Sequence, residues 1–207
     1  MDLESSSEIS SALTRVGEQL AYEKLRFSVV VVGGAALNLL GLVRRATSDV
    51  DIIAFAERSD TASNKTLSRP PDPIPSELAA AIDRVAADMD LDPRWMNAAP
   101  SLQWSQGLPP GLGERISWTH YGPNDEPSLG LEVGLVSRYD LIFFKLYAAT
   151  DHATTRSVHY RDIVALKPTS AELDGAADWI RPQNASSEFQ STLDELITHL
   201  KSQLSLS

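Results

Sequence analysis

Apolar residues at Ile9, Leu13, Val16 and Leu20 recur at three- and four-residue spacing, which predicts an amphipathic helix over residues 6–26, with N-cap candidates among the serines at 5–7. A β-branched run over 28–32 suits a buried strand, and Gly33-Gly34 breaks it. A short apolar helix follows over 35–42, and a second strand over 49–55 sets Val50 and Ile52 on the face opposite two aspartates. Residues 57–75 are polar and proline-rich and read as a loop; Leu78, Ile82, Val85 and Met89 then form one stripe of a helix over 76–89. The Pro-, Gly- and Trp-rich segment 91–114 reads as an excursion that packs through Trp95 and Trp104. Strands are predicted at 115–121 and 129–136, joined by the turn-like GPNDEPS. From Tyr139 onward the pattern is helical, over 138–150, 157–166, 169–180 and 187–204, punctuated by Pro168 and Pro182.

This order predicts an α/β (α+β) fold: a small mixed sheet with flanking helices, followed by a helical C-terminal part. The expected division is a core over residues 1–136, carrying the excursion 57–114, and a helical subdomain over 137–207.

The chain has 207 residues, 43% of them apolar, enough to bury a sizeable core. It has no cysteine, which excludes disulfides and thiolate chemistry. No stretch approaches the ~20 apolar residues of a membrane span, and the acidic, polar MDLESSSEIS is unlike a signal peptide, so a soluble cytoplasmic protein with no membrane partner is expected. The net charge of −10 is a poor footprint for a nucleic-acid binder, although Arg44, Arg45, Lys145, Arg156 and Arg161 could make a local basic patch.

The chemistry concentrates in VVVVGGAALNLLGLVRRATSDVDIIAF, residues 29–55. Asp49 and Asp51 are two apart, which on a strand points both carboxylates to one face. Paired carboxylates repel unless a cation lies between them, and a hard divalent ion with phosphate ligands supplies it. Gly33-Gly34, at a strand-to-helix junction, lets backbone N–H groups approach a phosphate. Standing alone, Asp-x-Asp is more often a solvated strand face and Gly-Gly a tight turn. GGAALN lacks the spaced glycines of a dinucleotide fingerprint, and no GK[ST] follows for a P-loop. His152 and His159 show no metal-ligand spacing, and the tryptophans read as core, with Trp95 a secondary candidate for lining a cleft.

What remains is strand, Gly-Gly, helix, basic turn and Asp-x-Asp on a strand. That order resembles the nucleotidyltransferase superfamily of the DNA polymerase β type, with a slightly long interval of fourteen residues, 35–48, between the two motifs. Within it, GGAALNLLGLVRRATSDVDI is most similar to the AbiEii/MenT-type toxins and their bacterial relatives; DLIFFKLYAATD, HYRDIVAL and DPRWMN resemble later elements of those chains. The resemblance implies that Asp49 and Asp51 are metal ligands for Mg²⁺ (or Mn²⁺) and that Glu132, the acid inside LGLEVGLV, is a third carboxylate acting as general base or second-metal ligand. It implies further that Lys145 places its ammonium on the triphosphate of an NTP substrate, with Asp162 nearby and able to pair with it. Arg45 and Ser48 would touch phosphate beside Gly33 and Gly34. The implied activity is transfer of a nucleotide from an NTP to an acceptor hydroxyl, tRNA being one such acceptor, by a toxin opposed by a cognate antitoxin. The alternative is a catalytically idle nucleotide- or partner-binding protein on the same scaffold.

Overall fold

In the computed structural model, which describes residues 3, 5–58, 65–70, 73–104, 106–152 and 157–204, the chain is a mixed α/β protein. Its two compact units are residues 1–103 with 111–136, and residues 104–110 with 137–207. Arg156 lies outside the described residues.

The first unit opens with α1 (Ser6–Tyr22), where the Ser5 hydroxyl caps the helix by accepting from the Glu8 N–H. Ile9, Leu13, Val16 and Leu20 form its buried stripe. The chain continues through β1 (Arg26–Val32), α2 (Gly33–Leu39), β2 (Val50–Arg58), β3 (Lys65–Ser68), α3 (Ser76–Met89), β4 (Met96–Asn97), β5 (Ser117–Tyr121) and β6 (Gly130–Leu135). These strands form one mixed sheet in the order β3-β2-β1-β6-β5, with β4 paired to β2. β1 is central, antiparallel to β2 and parallel to β6. It needs no solvent-facing alternation, and Val29 to Val32 are all buried.

Two strands fall where the sequence predicts irregular chain. β3 lies inside the expected loop 57–75 and pairs with the C-terminal half of β2; residues 59–64 and 71–72 of that loop lie outside the described residues. β4, in the unassigned excursion, has only two residues and pairs parallel with the start of β2. Neither is long enough to carry a periodicity of its own, so only pairing defines them.

One irregularity sets the face on which Asp51 lies. Val30 pairs with Ala54, but Val31 pairs with Ile52 and Val32 with Asp51, so Ile53 is an extra residue in β2. In an unbroken register Ile52 would lie opposite Val32. The bulge puts Asp51 there instead, on the sheet face shared by Ser28 and Glu132, with Val50 and Ile52 turned to the other face. α1 packs along β6 and β5 on that other face, where Ser10 hydrogen-bonds Tyr121.

The second unit comprises α4 (Arg138–Asp151), α5 (Val158–Leu166), α6 (Ser170–Ile180) and α7 (Ser187–Leu204). Ser137 and Ser157 cap α4 and α5, and Thr169 with Glu172 forms a capping box on α6. Trp104 packs here, with ring centroids 4.7 Å from Phe144 and 6.5 Å from both Tyr147 and Trp179, which explains why residues 104–110 belong to this unit. Among the described residues, no helix is long and apolar enough to cross a membrane.

Candidate functional site

β1 delivers the chain to Gly33 at the edge of the core, and β2 runs back beside it. Gly33 has φ +77°, a region open to glycine, and a Cβ there would overlap the Asp51 carboxylate. The absence of that side chain is therefore what allows the acid to lie against the backbone turn. At Gly34 a Cβ would meet Thr47 Oγ1 at 2.5 Å and the Arg45 guanidinium at 3.1 Å. Thr47 in turn donates to the Asp49 backbone carbonyl at 3.3 Å and lies 3.4 Å from Asp49 Oδ1. Both acids are thus connected to the Gly-Gly turn, Asp51 through Gly33 and Asp49 through Thr47 and Gly34. Asp49 stands just before β2 and Asp51 at its second residue, and both are half-buried.

Two side chains hold this arrangement without having been singled out from the sequence. Asn38, buried near the end of α2, donates to the carbonyls of Gly34 (3.1 Å) and Arg45 (2.8 Å), and its own carbonyl accepts from the Arg45 N–H (3.2 Å). That amide ties the basic turn to the helix that starts at the glycines. Thr47 is buried and exchanges backbone hydrogen bonds with Leu3 at 2.9 and 3.0 Å. Ser48 is exposed, and the hydroxyl that reaches Asp49 is that of Thr47. The Arg-x-Thr-x-Asp spacing was the available signal, because alternate residues of an extended segment share a face. Arg45 lies beside Gly34, while Arg44 is exposed.

Glu132 does not join the pair. It lies opposite Ser28 on β1, four positions from Val32, which lies opposite Asp51; that is about 13 Å along the strand direction. Its Oε2 accepts from Arg26 at 2.8 Å and from the Ser28 hydroxyl at 2.7 Å, and it forms an ion pair with Lys65. The Lys65 ammonium also sits 3.6 Å from the centroid of the Trp118 ring. Burial alone would raise the Glu132 pKa, but the hydrogen bonds from Lys65, Arg26 and Ser28 outweigh it and hold the carboxyl at about 2. A carboxylate so committed is a poor general base and a structural tie between β1, β3 and β6.

This tie has a pH signature. The folded-state pKa lies below the ordinary value of 4.5, so the stabilisation is complete above 4.5 and is lost as pH falls through about 2. The side chain is only 15% exposed, so the contribution can reach about 3 kcal/mol. Urea unfolding from pH 6 to pH 2 should show a steeper loss of stability in the parent than in Glu132→Gln; parallel curves would contradict this.

Lys145 and Asp162 lie in the second unit, on α4 and α5, with the ammonium 2.8 Å from Asp162 Oδ2. The lysine is 4% exposed and the aspartate 2%, so the ammonium does not extend to water from its apolar helix. Trp95, at 1% exposure, is core: its indole N–H donates to the Ile82 carbonyl, which removes it as a cleft residue. The His152 and His159 rings stack at 4.9 Å. Among the described residues, no three His, Asp or Glu side chains gather into a metal-binding cluster.

The donor set at the glycine turn nevertheless fits a magnesium ion. Asp49 and Asp51 offer hard oxygen ligands, and Mg²⁺ is ordinarily held by one or two carboxylates, with substrate phosphates and water completing its shell. The glycine that a Cβ would close stands directly beside one of those carboxylates. No protein-family model matches the chain, and no curated protein or solved structure matches it significantly.

Proposed function

We propose that the chain is a Mg²⁺-dependent nucleotidyltransferase of the DNA polymerase β type. One observation carries the reading: Asp51 and Asp49 are joined to the Gly33-Gly34 turn by direct packing and through Thr47. This brings oxygen ligands for a cation next to a backbone that a phosphate can approach closely.

Asp49 and Asp51 would hold Mg²⁺ (or Mn²⁺), which supplies charge neutralisation at the phosphates of the NTP. Gly33 and Gly34 let Asp51, Thr47 and the Arg45 guanidinium close on the turn, and Arg45, secured by Asn38, offers its positive charge to those phosphates. The acceptor hydroxyl attacks the α-phosphorus. The bond from that phosphorus to the oxygen bridging to the β-phosphate breaks, pyrophosphate leaves, and the acceptor's proton passes to water. The resemblance assigns Lys145 to the triphosphate, but its ammonium is buried and held by Asp162 at 2.8 Å, so the reading rests on the first unit alone. The same resemblance suggests a tRNA acceptor and a toxin with a cognate antitoxin, while a net charge of −10 favours a smaller acceptor.

The commitment of Glu132 to Arg26, Ser28 and Lys65 supports a second reading, a nucleotide- or partner-binding protein without catalysis. Incubation with Mg²⁺ and each α-labelled NTP, with and without total tRNA, separates the two. Transfer of label that EDTA abolishes is expected. Nucleotide binding with no label on any acceptor would establish the idle reading instead.

A further inference from the structure

The first unit contains a cavity of about 380 Å³ that the reading above leaves unused. Its volume falls in the range of about 300–1,000 Å³ typical of small-molecule sites. Pro70, Pro73, Pro93, Ile82, Met96 and Leu102 provide its apolar walls. Three of those six are prolines, which lose no side-chain freedom when a ligand binds. Leu102 is 55% exposed, one of three large hydrophobic side chains left exposed among the described residues, and it stands on this cavity.

The cavity adjoins the candidate site through β4. Met96 and Asn97 line it, and they pair in register with Val50 and Asp51. Asn97, on the face of Asp51, is the lining residue one strand spacing, about 4.8 Å, from it, while Met96 shares the opposite face with Val50. The wall is also held firmly. The Asn97 amide donates to the Arg94 carbonyl at 3.2 Å and accepts from the Ala99 N–H at 3.0 Å, fixing the turn between them. The Val50 N–H donates to the Trp95 carbonyl at 2.6 Å, and the Trp95 indole donates to Ile82, joining β2, β4 and α3 around the cavity.

We propose that this cavity receives the base of the nucleoside triphosphate whose phosphates bind at Asp49, Asp51 and the glycine turn, an assignment that rests on the nucleotidyltransferase reading. Such a substrate has a polyanionic end and one flat, largely apolar end. The glycine turn with Arg45 and the cation suits the first, and a proline-walled slot beside Asp51 suits the second. Asp83 of α3 also lines the cavity. Arg94 lines it as well, so the lining carries one charge of each sign, and the Asp83 carboxylate can accept an N–H from a base edge, a donor that all four bases carry.

Titration calorimetry with Mg²⁺ tests the assignment, using each NTP and inorganic tripolyphosphate as ligands. The proteins are the parent, Ala79→Phe, which fills the cavity from α3, and Leu102→Glu, which charges its mouth. Thermal melts establish that each variant is folded; should Ala79→Phe not fold, the exposed Leu102 position carries the test. The expected result is that the parent binds its best NTP more tightly than tripolyphosphate, and that both variants weaken the NTP about tenfold while leaving tripolyphosphate unchanged. Unchanged NTP affinity in the folded variants, or equal parental affinity for NTP and tripolyphosphate, overturns the base site while leaving the phosphate site standing. Failure of the parent to bind either ligand overturns the nucleotide reading itself.

Discussion

Asp162→Ala is expected to lower the unfolding free energy by about 3–5 kcal/mol, measured by urea denaturation at neutral pH. The two charges are 2.8 Å apart and only 4% and 2% exposed, so neither can exchange its partner for water. Removing the carboxylate leaves an ammonium among the side chains of α4, where Leu141, Ile142, Leu146 and Ala149 are all fully buried. Transferring both charges out of water offsets most of the pair's Coulomb attraction, so the pair itself adds little net stability. The cost arises from removing one member of the buried pair and not the other. The double variant Lys145→Met/Asp162→Leu should therefore recover much of the loss, since apolar side chains of similar size remove both desolvation penalties. A cost under about 1 kcal/mol for Asp162→Ala would contradict this account.

On the proposed nucleotidyltransferase reading, Asp51→Asn should reduce nucleotide transfer on the order of 10³-fold, equivalent to about 4 kcal/mol of transition-state stabilisation. Asparagine is nearly isosteric, so the packing against Gly33 is retained while the charge is lost. Stability without Mg²⁺ should change by less than about 1 kcal/mol, because the substitution keeps the size and packing of the side chain. The thermal shift that Mg²⁺ and NTP together produce in the parent should shrink in the variant. Loss of activity with that shift intact would assign Asp51 a role in chemistry other than holding the ion. Full activity would remove Asp51 from the site altogether.

Most helices were readable because each carries its signal within a few turns. Residues 76–89 and 187–204 have buried stripes at helical spacing and fold as predicted. The Gly-Gly and Asp-x-Asp elements were readable for the same local reason, each being a few residues whose types limit the backbone or the charge. β3 and β4 were not, since a four-residue and a two-residue strand exist only through their pairing with β2. The partners of Glu132 were not readable for a related reason. Being the sole acid in its strand shows that it is unusual, but its partners Arg26, Ser28 and Lys65 lie 106, 104 and 67 positions away.

By itself, the sequence determined the helical stripes, the strand–glycine–strand order and the chemical types able to hold a cation and a phosphate. Backbone propensity and side-chain chemistry act over a few residues, and order along the chain preserves them. The tertiary structure alone decided which face Asp51 occupies, through the bulge at Ile53 in β2. It also decided that the Thr47 hydroxyl reaches Asp49, that Asn38 ties Arg45 to the glycine turn, and that a proline-walled cavity adjoins β2 through β4. Each of these depends on register and close approach between segments distant in the chain, where a shift of one residue would exchange the inner and outer faces of a strand.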